Sequence, residues 1–115
     1  MAKKARSKSI KPKRISKSAL VAMASNNSIP ANVSCVFKSG IGQITASLFR
    51  KGVLINMQSI SNSGTIHFAE VQRGDVISIN GVCTGTADIA VDVTTTPSTP
   101  QHFDAGIILA GYLVH

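Results

Sequence analysis

From Asn32 onward, residues point alternately to two sides with a period of two, the signature of half-buried strands rather than helices. Val33, Cys35 and Phe37 face one way and Ser34, Val36 and Lys38 the other, until Ser39-Gly40 ends the run. Gly42 to Phe49 sets Ile44, Ala46 and Leu48 against Gln43, Thr45 and Ser47, and Arg50-Lys51-Gly52 has the composition of a tight hairpin turn. The return strand is Val53 to Ile60, with Val53, Ile55 and Met57 on one face.

Ser61-Asn62-Ser63-Gly64 turns the chain into a strand over Thr65 to Ala69, and Gln72-Arg73-Gly74-Asp75 turns it into another over Val76 to Ile79. Asn80-Gly81 is the strongest hairpin signal present, because both residue types accept positive φ. On that reading Gly81→Val strains the turn and destabilises the domain. Thr86 to Val93 turns Ala87, Ile89, Val91 and Val93 inward and Asp88 and Asp92 outward. Thr94 to His102, with Pro97 and Pro100, reads as one long loop, and Ala105 to Val114 closes the domain as a strand apolar on both faces.

Seven to eight short strands at this spacing predict an all-β fold, a small antiparallel β-sandwich or jelly-roll-like domain over residues 32–115. Residues 19–31 read as a short helix over Ala19 to Ala24, capped by Ser18, followed by a turn-rich linker. The final strand must be covered on both sides, which makes Ile107, Ile108, Leu109, Tyr112 and Leu113 a candidate oligomer interface, with a central core position as the competing reading.

Charge divides the chain unequally. Lys3, Lys4, Arg6, Lys8, Lys11, Lys13, Arg14 and Lys17 supply most of the 12 basic residues, and no acid occurs among residues 1–18. The rest of the chain holds Lys38, Arg50, Lys51 and Arg73 against Glu70, Asp75, Asp88, Asp92 and Asp104, one acid in excess. The sequence therefore predicts an extended basic N-terminal arm over residues 1–18, suited to a polyanion or an acidic protein surface, on a nearly neutral body.

The 115 residues allow one domain and a tail. Aromatic residues are only 4% with no tryptophan, so the interior has to be aliphatic. The apolar stretch after the basic arm is too short for a secretory signal, and the run Ala105 to Val114 is half a membrane-spanning length, which predicts a cytoplasmically made protein with no signal peptide and no membrane partner. Cys35 and Cys83 lack C-x-x-C spacing and sit in strand-like apolar contexts, so both read as buried free thiols.

Chemical signals are sparse. His67, His102 and His115 are too dispersed for a metal motif and read as surface or loop residues. Asp88 and Asp92 share a strand face that Asp104 could join as a calcium site, but carboxylates on a solvated sheet face are the commoner arrangement. Arg73-Gly74-Asp75 spells an adhesion tripeptide, for which a glycine at a hairpin corner is the simpler explanation. Asn26-Asn27-Ser28 and Asn32-Val33-Ser34 match a glycosylation pattern that has meaning only in a secreted chain. With no nucleophile elbow, phosphate loop or H-E-x-x-H, the sequence predicts no enzyme, no catalytic residue, no metal and no cofactor.

Three classes of function fit this inventory to different degrees. A structural subunit of a large assembly uses the whole layout: a β domain that oligomerises, and an arm that anchors it to neighbouring subunits or packaged nucleic acid. A non-specific nucleic-acid-binding protein uses the arm alone, since the aromatic residues on which single strands stack are few. A receptor- or carbohydrate-binding domain fits least, because sugar sites draw on tryptophan. In its basic arm, compact β domain and two-faced final strand, the layout resembles minor, auxiliary and decoration capsid proteins of bacteriophages. That resemblance implies a virion protein with other subunits as partners; it lies in architecture and transfers no individual residue.

Overall fold

A computed structural model describes residues 28–115, and the arm over 1–18 and the helix over 19–24 lie outside the described residues. The described chain is all β, with nine strands in order: β1 (Ser28–Lys38), β2 (Gly42–Arg50), β3 (Val53–Ser61), β4 (Gly64–Gln72), β5 (Val76–Cys83), β6 (Thr86–Val91), β7 (Thr95–Thr96), β8 (Gln101–Phe103) and β9 (Gly106–Val114). They form a four-stranded sheet, β4-β1-β6-β8, and a five-stranded sheet, β3-β2-β5-β9-β7. Every pairing is antiparallel, and the sheets do not close into a barrel.

The alternation in the sequence becomes the core. Val33, Cys35, Ile66, Phe68, Ala87 and Ile89 project from the four-stranded sheet, and Ile44, Leu48, Ile77, Ile79, Ile108 and Tyr112 from the five-stranded one, into a single buried cluster. Each fully buried side chain of this size contributes roughly 1.5–3 kcal/mol relative to exposure, so the facing layers hold each other. The Tyr112 hydroxyl is satisfied within that core by donating to Gln101 Oε1 at 2.8 Å.

Only β2 and β3, among the described residues, are consecutive strands in the same sheet; the other connections pass between the layers. The β2–β3 hairpin is the one expected at Arg50-Lys51-Gly52, with Lys51 and Gly52 both at positive φ.

The expected hairpin at Asn80-Gly81 is absent. Both residues lie inside β5, where Gly81 pairs with Ile44 on one side and Ile108 on the other. Glycine stands there for closeness of approach rather than for a turn: a Cβ would lie 2.2 Å from the Gln43 carbonyl oxygen. The segment read as a loop over Thr94 to His102 contains β7 and the first two residues of β8, which takes the strand count to nine, and holds cis peptide bonds before Pro97 and Pro100. β1 starts at Ser28, ahead of Asn32, because its first residues pair with the end of β4.

Candidate assembly surface

The outer surfaces of the two sheets differ in chemistry. Across the five-stranded sheet, cross-strand register builds rows of outward-facing residues. The first runs Leu54, Phe49, Val76, Leu113 and Thr96; the next Met57, Ser47, Ser78 and Gly111; then Ser59, Thr45, Asn80 and Leu109; and last Ser61, Gln43, Val82 and Ile107. None of these positions is charged. Ile107 is 74% exposed, Leu109 67% and Met57 59%, and Val82, Leu54, Leu113 and Val76 are exposed beside them. At the last row the surface dips into a depression of about 550 Å³ lined by Ile41, Val82 and Ile107.

The candidate interface residues of the last strand therefore divide. Ile107, Leu109 and Leu113 stand on this outer face, whereas Ile108 and Tyr112 are fully buried in the chain's own core. Strict alternation along β9 separates them, since neighbours in a strand point to opposite faces. The apolar outer patch also extends beyond β9 to Val76, Val82, Leu54 and Met57. Only the register shows this extension: Val76 and Val82 lie on β5, a strand whose far half the sequence assigns to a turn. On β3, Ile55 has no partner across from it, because Phe49 pairs with Leu54 and Leu48 with Asn56. That bulge breaks the expected common face of Val53, Ile55 and Met57.

The four-stranded sheet turns mainly polar and charged groups outward, with Val36 exposed among them, and ties several of them together. Asp92 accepts from the Asn32 backbone N–H at 2.7 Å and from Asn32 Nδ2 at 2.8 Å, while His67 Nδ1 donates to Asn32 Oδ1 at 2.8 Å. These bonds, from the Asn32 backbone first and its side chain next, hold the Asp92 carboxyl below its ordinary pKa. His102 lies opposite Asp88 across β6 and β8, and its Nδ1 donates to Asp88 Oδ1 at 2.8 Å, which raises the imidazole pKa. Asp104 approaches His102 Nε2 at 3.5 Å. The carboxylates of the calcium reading thus engage histidine and asparagine, and no group of three or more His, Cys, Asp or Glu among the described residues is placed to hold a metal.

The Arg73-Gly74-Asp75 corner is closed on itself. Asp75 is 1% exposed. Arg50 Nε donates to its Oδ1 at 3.0 Å and Nη2 to its Oδ2 at 2.9 Å, and the Gln72 N–H donates to the same Oδ2 at 2.8 Å. The carboxylate an adhesion receptor has to reach is therefore inside the protein, and Gly74 at φ 91° serves the turn. This pairing raises the Arg50 pKa, chiefly through its hydrogen bond to Asp75. Cys35 and Cys83 are both buried free thiols, and burial first, then the neighbouring Cys83, pushes the Cys35 thiol up to about 11.

His115 sits at the end of the chain, bonded through Nε2 to Thr96 Oγ1. The eight basic candidates from Lys3 to Lys17 lie outside the described residues. No helix among the described residues is long and apolar enough to cross a membrane. Comparison with protein-family models, with curated proteins and with solved structures finds no match to this chain.

Proposed function

We propose that this chain is a non-enzymatic structural subunit of a large assembly, of the capsid-associated kind, in which a small β-sandwich associates through its five-stranded face. The basic N-terminal segment anchors it to neighbouring subunits or packaged nucleic acid. The observation that carries this reading is the uncharged outer face with its exposed aliphatic residues, set against a four-stranded face where the charges are gathered. Surfaces that meet water are sprinkled with charge, and the cores of protein interfaces are depleted of it. Strands about 4.8 Å apart, rising about 3.4 Å per residue, give the four long strands of this sheet a footprint of roughly 600 Å². A stable contact needs about 800 Å² per partner, so this face supplies most of one.

The eight bases among residues 1–18, with no acid beside them, favour a second reading in which the chain binds nucleic acid on its own. Sedimentation velocity of the full chain over a concentration series, with and without duplex DNA, separates the two. The assembly reading expects species well above 12.0 kDa without DNA. A chain that stays monomeric, and binds duplex with a log–log salt slope of about −7, as eight neutralised phosphates produce, overturns it in favour of the second.

A further inference from the structure

The two sheets have four edges, and three of them are blocked to an incoming strand. β7 is two residues long and runs into Pro97, β8 is three residues long behind Pro100, and β4 carries His67 and Glu70. The β4 edge is further closed by Gln58, an inward-turned side chain of β3, whose Nε2 donates to the His67 carbonyl oxygen at 2.8 Å. The fourth edge is β3, reading Val-Leu-Ile-Asn-Met-Gln-Ser-Ile-Ser, with no charge, proline or glycine. It hydrogen-bonds as a strand to β2 alone, so its other side presents a row of backbone donors and acceptors. Val53, Leu54, Ile55 and Met57 are 47–61% exposed along it. Folded proteins ordinarily guard such an edge with lysine, proline or a bulge, because it templates pairing with another strand. Here the bulge at Ile55 guards one end only and leaves Asn56–Ser61 in regular register.

We propose that β3 pairs antiparallel with β3 of a second copy of this chain, joining two five-stranded sheets into one continuous ten-stranded sheet. The inference rests on the reading that the domain oligomerises, and it adds an edge contact at β3 to the face contact proposed above. What selects a second copy is self-complementarity: antiparallel pairing about a two-fold axis between Gln58 and Ser59, the midpoint of the regular stretch Asn56–Ser61, sets an uncharged segment against itself. No like charges are brought together. The basic residues 1–18 are a poorer occupant, since the β3 edge has no carboxylate to draw them. Pairing also places the two uncharged outer faces side by side, doubling the surface available to the rest of an assembly.

The test uses the full chain, with its mass measured by sedimentation and backbone amide exchange followed at low and high concentration. Two-fold pairing expects a dimer in which every second amide of Asn56–Ser61 gains protection as concentration rises. Met57→Lys, on a side chain already 59% exposed, should weaken the dimer at least tenfold while leaving the thermal midpoint near that of the parent. An oligomer that survives Met57→Lys but is lost in Leu109→Lys overturns the β3 contact and leaves the assembly reading standing. Protection of the β3 edge that is independent of concentration means that the chain's own N-terminal segment fills it, which also overturns the proposal. A wild-type chain that stays monomeric throughout overturns both.

Discussion

The outer faces of the two sheets are built from the same alternating pattern, yet they expose different chemistry. On the four-stranded face Asp92, Asn32 and His67 bridge β6, β1 and β4, and Asp88 with His102 bridges β6 and β8, so polar groups find partners within the domain and water covers the rest. On the five-stranded face Leu109, Ile107, Val82 and Met57 stand exposed among serine, threonine and asparagine. Half of any strand must face away from the core, and a sheet with one solvated side fills that half with polar groups. The four-stranded sheet follows that rule more closely than the five-stranded one, which has no charge in its outward rows and exposes more large aliphatic side chains. The difference lies wholly on the outside, since their inner faces share one core.

The comparison breaks first if the five-stranded layer cannot close. β2 passes so near Gly81 that a Cβ there meets the Gln43 carbonyl oxygen at 2.2 Å and Ile44 Cγ2 at 2.8 Å, and backbone in a central strand has little room to yield. Gly81→Ala should cost about 3 kcal/mol, at the upper end of what overpacking does. Gly111 lies in β9 on the outer face with nothing within 4 Å of an added Cβ, and Gly111→Ala should stay within about 0.5 kcal/mol of the parent. Equal urea midpoints for the two variants would show that β2 does not press on β5 at this point.

The end of β2 is tied by the Arg50–Asp75 pair to the turn through which β4 passes into β5, and the pair's two halves should not be equivalent. Removing Arg50, itself 26% exposed, leaves a carboxylate at 1% exposure with only the Gln72 N–H for a partner, and Arg50→Ala should cost about 3 kcal/mol. Asp75→Ala leaves the guanidinium able to turn to water and should cost nearer 2 kcal/mol. Chemical denaturation of both variants reads the asymmetry. A larger loss from Asp75→Ala than from Arg50→Ala would mean that the turn hydrogen bonds outweigh the charge pair.

How far the sequence carried to these features depended on whether the information was local. Alternation along Val33 to Lys38, Gly42 to Phe49 and Thr86 to Val91 was enough to orient those strands, because burial repeats every second residue within one segment. Asn80-Gly81 misled because the same dipeptide that suits a hairpin also suits a strand whose neighbour approaches closely, and only the position of Gln43, far along the chain, distinguishes them. The outer face of β9 was legible at Ile107, Leu109 and Leu113, but its continuation onto Val76 and Val82 needed the β5–β9 register. The unguarded edge at β3 was illegible for a related reason: being an edge is a property of the sheet order, which no segment encodes alone.

The faces should also respond differently to an added charge. Leu109→Lys sets an ammonium in the middle of the uncharged face, and burying or displacing it in an interface removes a leucine's burial of about 1.5–3 kcal/mol, a tenfold or greater loss of association. Ala90→Lys, at an outward position of the charged face, should leave association within about twofold. Mass measured by light scattering through a dilution series distinguishes them. Equal loss from both substitutions would erase the functional difference between the faces.

The smallest expected effect is the dependence of the charged face on pH, which works in opposite directions at its two clusters. The Asp92 carboxyl is held below its ordinary value by Asn32, so its contribution is present above the unfolded carboxylate pKa of about 3.9 and is lost as pH falls through the lowered folded value. The His102 imidazole is raised by Asp88, so its contribution is complete below the unfolded histidine pKa of about 6.5 and fades as pH rises through the raised folded value. The clusters reinforce each other only in the window between, from about pH 4 to about 6.5. Thermal midpoints across pH should therefore show Asp92→Asn flattening the acid limb and His102→Gln flattening the limb above neutrality, each leaving the other limb intact. Leu109→Lys, placed on the sheet whose outward cross-strand rows hold no aspartate, glutamate or histidine, should shift the whole curve without altering either slope. If instead Leu109→Lys changed a limb, the two faces would be coupled through the core, and the division of labour between them would be weaker than their surfaces indicate.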